Sequence, residues 1–170
     1  MEKKTNTFKK ALTGIILSVI LIVIDQVTKL MAIHGLMNQQ PFVIWDGVFE
    51  LHYLENRGAA FGILQGKKIF FVMFTLVVLC MIAYLYLKRI PDEKKFRLMD
   101  GICILFFAGA LGNFIDRVFR NYVVDFFYFK LIDFPVFNVA DIYVTVAAFA
   151  MIILGLFYYK EEDYNKIFHD

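Results

Sequence analysis

Apolar residues along this chain gather into four long stretches, and each stretch is long enough to cross a lipid bilayer. They cover about residues 11–32, 69–87, 98–118 and 138–159. A transmembrane helix needs about 20 consecutive, mainly apolar residues. The pattern predicts an all-α integral membrane protein, in which a four-transmembrane-helix bundle forms a single membrane-embedded domain over residues 1–170.

Basic residues flank one side of the predicted bundle. They occupy the N-terminus, the segment between the second and third stretches, and the C-terminal tail: Lys3, Lys4, Lys9, Lys10, Lys88, Arg89, Lys94, Lys95, Arg97, Lys160 and Lys166. Lysine and arginine accumulate on the cytoplasmic side of membrane proteins, so we expect both termini there. The same side carries tyrosines that fit an aromatic belt at the interface: Tyr84, Tyr86, Tyr158 and Tyr159.

The two remaining connections, residues 34–68 and 119–137, then face outward. Within the first, residues 42–45 and 48–54 are rich in β-formers and are bounded by turn residues, which is typical of strands. We expect a small extracytoplasmic sheet on the membrane surface. The second connection is rich in aromatic residues and is expected to lie in the interface.

Composition agrees with a membrane protein. Hydrophobic residues make up 60% of the chain and the mean hydropathy is +0.63, whereas soluble domains contain about 45–50% apolar residues. The net charge of only +2 gives no reason to expect a nucleic-acid partner. Cys80 and Cys103 lie in apolar stretches and are expected to pack there. The three histidines have no ligand spacing, so we expect neither a metal nor a cofactor.

Carboxylates lie at, or just beyond, one end of the apolar stretches: Asp25, Asp116, Asp125 and Asp141. At about 1.5 Å of rise per residue, Asp25 lies roughly 22 Å from Lys10 and Asp141 roughly 28 Å from Lys160. The hydrocarbon core is about 30 Å thick, so these side chains fall at its outer boundary. Charged groups at such depths are costly and are functional candidates by default.

Two clusters of polar residues precede the third stretch. Asp25 and Lys29 are four residues apart and can pair across one helical turn. That pair is either structural, making an intramembrane charge tolerable, or part of a site. Asn56 and Gly58 stand in the segment 55–62, which is rich in small residues. It forms either a turn into the second span or a loop that grips a substrate backbone.

A third cluster lies near the end of the third stretch. Small residues at positions 108, 109, 110 and 112 favour close helix packing. Asn113 and Arg117 share a helical face, whereas Asp116 and Arg117 are adjacent and do not. Packing with an interfacial anchor is the structural alternative to a substrate-binding role for this group.

The fourth cluster joins Asp125 to Asn138 and Asp141. Asn138 is a good N-cap for the fourth span, and Asp141 can complete a capping box, which is the structural interpretation. Two carboxylates held close together instead share a proton, so that one activates water while the other protonates a carbonyl. Ser18, the only serine, lies deep in the first stretch without an adjacent base, which disfavours serine peptidase chemistry.

Five motifs in this order resemble those of the bacterial lipoprotein signal peptidases, also called signal peptidase II. The motifs are Asp25-Gln26-x-x-Lys29, Asn56-x-Gly58-Ala59-Ala60-Phe61, Gly112-Asn113-x-x-Asp116-Arg117, Val124-Asp125-Phe126 and Phe137-Asn138-Val139-Ala140-Asp141.

The resemblance implies an aspartic endopeptidase of the bacterial cytoplasmic membrane that cuts diacylglyceryl-modified prolipoproteins before the lipid-modified cysteine. It implies that Asp125 and Asp141 form the catalytic dyad. It also implies supporting roles in substrate binding or site structure for a further set: Asp25, Lys29, Asn56, Gly58, Asn113, Asp116, Arg117 and Asn138.

The resemblance further implies a small outer sheet cradle, an interfacial outer helix and sensitivity to the cyclic peptide globomycin. The expected partners are lipid-modified prolipoproteins and membrane lipids, and we expect a monomer. Ile142 departs from the family, which often has a small polar residue there. Two alternatives remain from the residues alone, a small transporter subunit and a non-catalytic lipoprotein-binding module.

Overall fold

The computed structural model describes residues 2–58 and 66–169, with side chains from residue 7 onward. Five α-helices lie in this part of the chain: α1 (Glu2–Leu36), α2 (Lys68–Tyr84), α3 (Arg97–Phe119), α4 (Val139–Phe157) and α5 (Glu161–Phe168). A π-helical turn, Leu85–Arg89, extends α2, and a 3-10 turn, Lys94–Phe96, leads into α3. Three strands complete the fold: β1 (Phe42–Trp45), β2 (Phe49–Asn56) and β3 (Val123–Tyr128).

Within the described residues, four helical segments are long and apolar enough to cross a membrane, which confirms the prediction. They are Thr7–Leu36, Lys68–Arg89, Lys94–Phe119 and Val139–Phe157. Many large apolar side chains of the first, second and fourth segments are exposed outside the bundle, as expected where lipid rather than protein surrounds them. Both ends of each segment lie within a few residues of the boundaries predicted from the sequence.

Helix α3 is the centre of the bundle because it packs against α1, α2 and α4. Small residues make the close approach possible. A Cβ atom added at Gly109 would lie 2.5 Å from the carbonyl oxygen of Ala140, and one added at Gly112 would lie 2.6 Å from Asp25 Oδ2. Close packing by small residues, predicted from the sequence, therefore brings polar side chains of α1, α3 and α4 within contact distance.

The sheet, at the end of the bundle where α3 ends and α4 begins, is antiparallel, in the order β1-β2-β3. Strands β1 and β2 confirm the two predicted stretches. Strand β3 is an addition, because residues 119–137 were expected only to lie in the interface. It pairs with β2 in a register that sets Asp125 opposite Leu54 and Val123 opposite Asn56. The site residues on β2 and β3 are therefore neighbours through strand pairing.

The expected interfacial outer helix has no counterpart in the described parts of the outer connections. They contain one 3-10 turn of three residues, Lys130–Ile132. Residues 59–65 of the first outer connection lie outside the described residues, so the outer helix stays a prediction.

The opposite end of the bundle contains a small core that the sequence did not indicate. Ile90, Phe96, Tyr159 and Ile167 form a buried cluster that docks α5 beneath the spans. Tyr86 is also buried, and its hydroxyl donates to the carbonyl oxygen of Lys10. Tyr86 and Tyr159 are therefore interior residues, and the prediction that they belong to an aromatic belt is wrong. Their hydroxyls find protein partners that an exposed belt would not supply.

Candidate active site

A cleft of about 950 Å³ opens where the end of α3 and the start of α4 meet the sheet. Polar side chains of the predicted site line it, among them Asn56, Asn113, Arg117, Asp125 and Asp141. Apolar residues of the segment 134–137 and of α4 form the remaining wall. The structure thus brings both aspartates of the expected dyad to one concave surface.

Asp125 is buried on β3 and is held at both carboxylate oxygens. Asn138 Nδ2 donates to Oδ1 at 2.6 Å, and Asn56 Nδ2 donates to Oδ2 at 2.9 Å. Burial raises the pKa of Asp125 to about 7, and the negative charge of Asp141 adds to that shift. The two amide hydrogen bonds act in the opposite direction because they stabilise the ionised carboxylate.

Asp141 lies in the first turn of α4 and takes part in a capping box. The Asn138 side chain accepts from the Asp141 N–H at 3.0 Å, and Asp141 Oδ2 accepts from the Asn138 N–H at 3.1 Å. The capping role predicted from the sequence is confirmed, yet it occupies only one carboxylate oxygen. The other, Oδ1, accepts from Asn113 Nδ2 at 2.8 Å.

Two asparagines connect the aspartates. Asn138 Nδ2 donates to Asp125 and also lies 3.1 Å from Asn113 Oδ1, while Asn113 in turn donates to Asp141. Asn113 Oδ1 accepts a further hydrogen bond of 2.8 Å from Lys29 Nζ, which fixes the orientation of its amide. The chain Asp125–Asn138–Asn113–Asp141 leaves each aspartate with a defined position.

Beneath this chain lies a fully buried ionic cluster. Lys29 Nζ is 2.9 Å from Asp25 Oδ2 and 3.1 Å from Asp116 Oδ2, and all three side chains have 0% exposure. The predicted Asp25–Lys29 pair is present, but Lys29 also reaches α3. A buried ammonium group needs such compensation, since leaving water is costly for any ion.

Each carboxylate of this cluster also holds the backbone next to an aspartate of the expected dyad. Asp25 Oδ1 accepts from the Ala140 N–H at 2.9 Å, directly before Asp141. Asp116 Oδ2 accepts from the Val124 N–H at 3.1 Å, directly before Asp125. These contacts place Asp25, Lys29 and Asp116 in a structural relation to the site without lining the cleft.

Arg117 extends from α3 towards the loop after β2. Its guanidinium donates to the carbonyl oxygens of Gly58 and Asn113, both at 3.3 Å, and lies over the ring of Phe71. Asn56 Oδ1 accepts from the Gly58 N–H at 3.0 Å. Asn56 and Gly58 are thus tied to the site. Ala59, Ala60 and Phe61 of the same motif lie outside the described residues.

Two polar residues of the network were not predicted as site residues. Gln26 Nε2 donates to Asp25 and Asp116, and Arg120 pairs with Asp116 and Gln26. Arg120 stands four residues after Asp116, a spacing that places two side chains on one helical face. That spacing could have identified Arg120, whereas nothing local indicated a contact between α1 and the end of α3.

The arrangement of two buried carboxylates suits acid–base chemistry. Among the side chains described, in residues 7–58 and 66–169, no three His, Cys, Asp or Glu side chains lie close enough together to hold a metal ion. Four membrane-crossing helices with two buried aspartates in an open cleft define a class, the membrane-bound aspartic peptidases.

Comparison with known proteins gives the family within that class. The family model described as Signal peptidase (SPase) II matches residues 17–157. The lipoprotein signal peptidase of Clostridium tetani (strain Massachusetts / E88) is 42% identical over 160 residues, covering 91% of this chain and 98% of that protein. The lipoprotein signal peptidase of Streptococcus pyogenes serotype M5 (strain Manfredo) is 40% identical over 154 residues, covering 89% and 96%. The chain belongs to the signal peptidase II family.

The fold has a solved counterpart. A bacterial membrane enzyme determined by the in meso method at 1.9 Å resolution is 36% identical, with a TM-score of 0.75 over 86% of this chain and 94% of that one. The resemblance drawn from the five motifs is therefore confirmed, together with the predicted fold class and the prediction of an aspartic peptidase. Family membership separates the protein from the transporter and binding-module alternatives.

Proposed function

We propose that this protein removes the signal peptide from diacylglyceryl-modified prolipoproteins, cutting before the lipid-modified cysteine, with Asp125 and Asp141 as the catalytic dyad. The observation that carries the proposal is the bridge from Asp125 through Asn138 and Asn113 to Asp141 at the wall of one cleft. It rests further on relatives named lipoprotein signal peptidase that match nearly the whole chain.

The chemistry requires one proton on the dyad. One carboxylate takes a proton from a water molecule as the water oxygen attacks the scissile carbonyl carbon, and the other carboxyl gives its proton to the carbonyl oxygen. The tetrahedral diol then collapses, the C–N bond breaks, and a proton passes to the leaving amine. A pKa of about 7 at Asp125 is consistent with a singly protonated dyad near neutral pH.

Supporting roles follow from the contacts. Asn138 and Asn56 orient Asp125, and Asn113 orients Asp141. Arg117 lines the cleft and donates to the carbonyl oxygen of Gly58, so it holds the start of the loop that we expect to contact the substrate backbone. Lys29, Asp25 and Asp116 stabilise the site from below.

The proposal includes the setting of the enzyme. As a single membrane-embedded domain in the bacterial cytoplasmic membrane, it has both termini in the cytoplasm and its cleft at the outer face. The distribution of lysine and arginine supports this orientation. The enzyme acts as a monomer without a cofactor, contacts membrane lipids and is inhibited by globomycin.

A gel-shift cleavage assay in detergent tests the function. The substrate is a diacylglyceryl-modified prolipoprotein, incubated with wild type, Asp125→Asn, Asp141→Asn and, as a matched control, Asp46→Asn in the exposed turn between β1 and β2. We expect cleavage by wild type and by the control, and none by either dyad variant. Substantial activity in a folded dyad variant would refute the assignment of Asp125 and Asp141.

Orientation is tested separately in intact cells. In a background in which Cys80 and Cys103 are replaced by alanine, single cysteines are placed at the exposed positions Asp46 and Lys94. A membrane-impermeant maleimide should label the cysteine at position 46 and spare the one at position 94. The reverse pattern would place the cleft on the cytoplasmic side.

A further inference from the structure

The cleft continues along α4 past the dyad, towards the middle of the membrane. Ile142, Thr145 and Val146 line it on the side of Asp141 away from the sheet. Asp141 and Thr145 are four residues apart and share a helical face. A polar side chain therefore lies in the same cleft as the dyad, about 6 Å deeper along the helix.

The Thr145 hydroxyl is free. The side chain is exposed, and its hydroxyl has no hydrogen-bond partner among the described residues. Tyr143, the neighbouring polar residue of α4, differs because its hydroxyl donates to the carbonyl oxygen of Leu21 on α1. Tyr143 therefore serves helix packing, whereas Thr145 presents a donor and an acceptor to whatever enters the cleft.

A signal peptide that enters this cleft brings unpaired backbone groups with it. The last four carbonyl groups of a helix have no partner within the helix. Between a membrane-embedded helix and the scissile bond the chain must also become extended. Inside the hydrocarbon each unpaired polar group costs several kcal/mol, so a protein hydroxyl at this depth is a valuable partner.

We propose that Thr145 is a substrate-binding residue whose hydroxyl donates to a backbone carbonyl of the signal peptide. This inference rests on the proposed function. An extended chain advances about 3.3 Å per residue, so a 6 Å offset from Asp141 corresponds to about two residues. Thr145 lies on the membrane side of the dyad, which places the bound carbonyl about two residues before the scissile bond.

The distance of this hydrogen bond from the scissile bond has a kinetic consequence. A hydrogen bond remote from the reacting carbonyl stabilises bound substrate and transition state equally, so its loss raises KM and leaves kcat unchanged. One such hydrogen bond contributes about a fivefold effect. Because the contact is with the backbone, the rise in KM should also be the same for substrates of different signal sequence.

The first experiment measures kcat and KM for wild type, Thr145→Val, Thr145→Ser and the control Thr13→Val. Thr13 is an exposed threonine of α1 outside the cleft. Thr145→Val should raise KM about fivefold, while Thr145→Ser and Thr13→Val should behave as wild type. Equal KM values for wild type and Thr145→Val would overturn the proposal. So would a loss confined to kcat, because that would show Thr145 acting on Asp141.

The second experiment varies the substrate and compares wild type with Thr145→Val. A thioamide, a weaker acceptor than an amide, replaces the bond one, two, three or four residues before the cleavage site. Wild type should lose affinity for the substrate modified about two residues before the site, and Thr145→Val should not. A uniform response of wild type to all four substrates would overturn the assignment. Failure of wild type to cleave the unmodified substrate would instead refute the proposed function.

Discussion

Asp116 accepts a hydrogen bond of 3.1 Å from the backbone N–H of Val124, the residue directly before Asp125. Asp25 does the same for Ala140, the residue directly before Asp141. Lys29 joins these two carboxylates, so one buried ammonium group is linked to the backbone at both dyad positions. The cluster that makes a charge tolerable inside the bundle therefore also sets where the two aspartates lie.

Replacing Lys29 with methionine should destabilise the protein severely. The change leaves Asp25 and Asp116 buried with much of their compensating charge removed. Breaking a buried ion pair at one partner costs about 3–5 kcal/mol. We expect a large fall in the thermal unfolding temperature in detergent, together with loss of cleavage.

The matched control for this prediction is Lys166→Met. Its ion pair with Glu93 is about half exposed, with side-chain exposures of 48% and 49%. Exposed pairs contribute little to stability, so this variant should unfold near the wild-type temperature. Combining Lys29→Met with Asp25→Asn and Asp116→Asn should recover part of the lost stability. A Lys29→Met protein as stable as Lys166→Met would contradict the role assigned to the cluster.

Adding one methyl group at Gly109 should separate α3 from α4. The new Cβ would lie 2.5 Å from the Ala140 carbonyl oxygen, a backbone atom that cannot move without shifting the start of α4. Overpacking of this kind costs about 1–3 kcal/mol. We expect Gly109→Ala to lower the unfolding temperature and to reduce kcat, because Asp141 follows Ala140.

Gly101→Ala provides the comparison for Gly109→Ala. It lies on the same helix with no atom within 4 Å of the added Cβ, and it should keep wild-type stability and activity. Thermal unfolding and cleavage, measured on both variants side by side, check the prediction. Equal behaviour of the two variants would show that the α3–α4 contact is looser than the structure indicates.

The spans and their boundaries could be predicted because length and hydropathy are local properties of the chain. Strand β3 could not be predicted, because residues 123–126 are buried on both faces and show no alternation of apolar and polar positions. Helix α5 was missed for a related reason. It has only eight residues and depends on the buried contacts of Ile167 with the cluster around Phe96.

In the site, too, local contacts could be predicted and contacts between distant segments could not. The pairing of Asp25 with Lys29 and the capping box of Asn138 with Asp141 follow from spacings of four and three residues. Contacts between distant segments did not follow, such as Asn56 with Asp125 across 69 residues. The fixed rise of a helix predicted a common depth, but strand register and helix packing decide which side chains touch at that depth.

Asn138 has two separable functions, and a serine replacement should separate them. Serine keeps the N-cap of α4 but lacks the amide that donates to Asp125 at 2.6 Å. Asn138→Ser should therefore lose most activity at near-wild-type stability. Asn138→Ala should lose activity and, in addition, about 1 kcal/mol from the missing cap. Cleavage and thermal unfolding of both variants check this. Retained activity in Asn138→Ser would mean that the Asn138 amide does not orient Asp125.

Cleavage should decline as the pH rises through about 7. The Asp125 carboxyl has a raised pKa of about 7 because it is buried and faces Asp141. It is protonated below that pH and loses the dyad's proton above it, which removes the acid that the reaction needs. The pH dependence of kcat/KM reports this ionisation in the free enzyme.

Asn56→Ala should shift this alkaline limb. The Asn56 amide lowers the pKa of Asp125 by stabilising the carboxylate, so its loss raises that pKa and moves the limb to higher pH, although maximal activity falls. His52 also lines the cleft and serves as the control position. His52→Gln should leave the position of the limb unchanged. If the limb disappears in His52→Gln, or stays in place in Asn56→Ala, the ionisation belongs to a group other than Asp125.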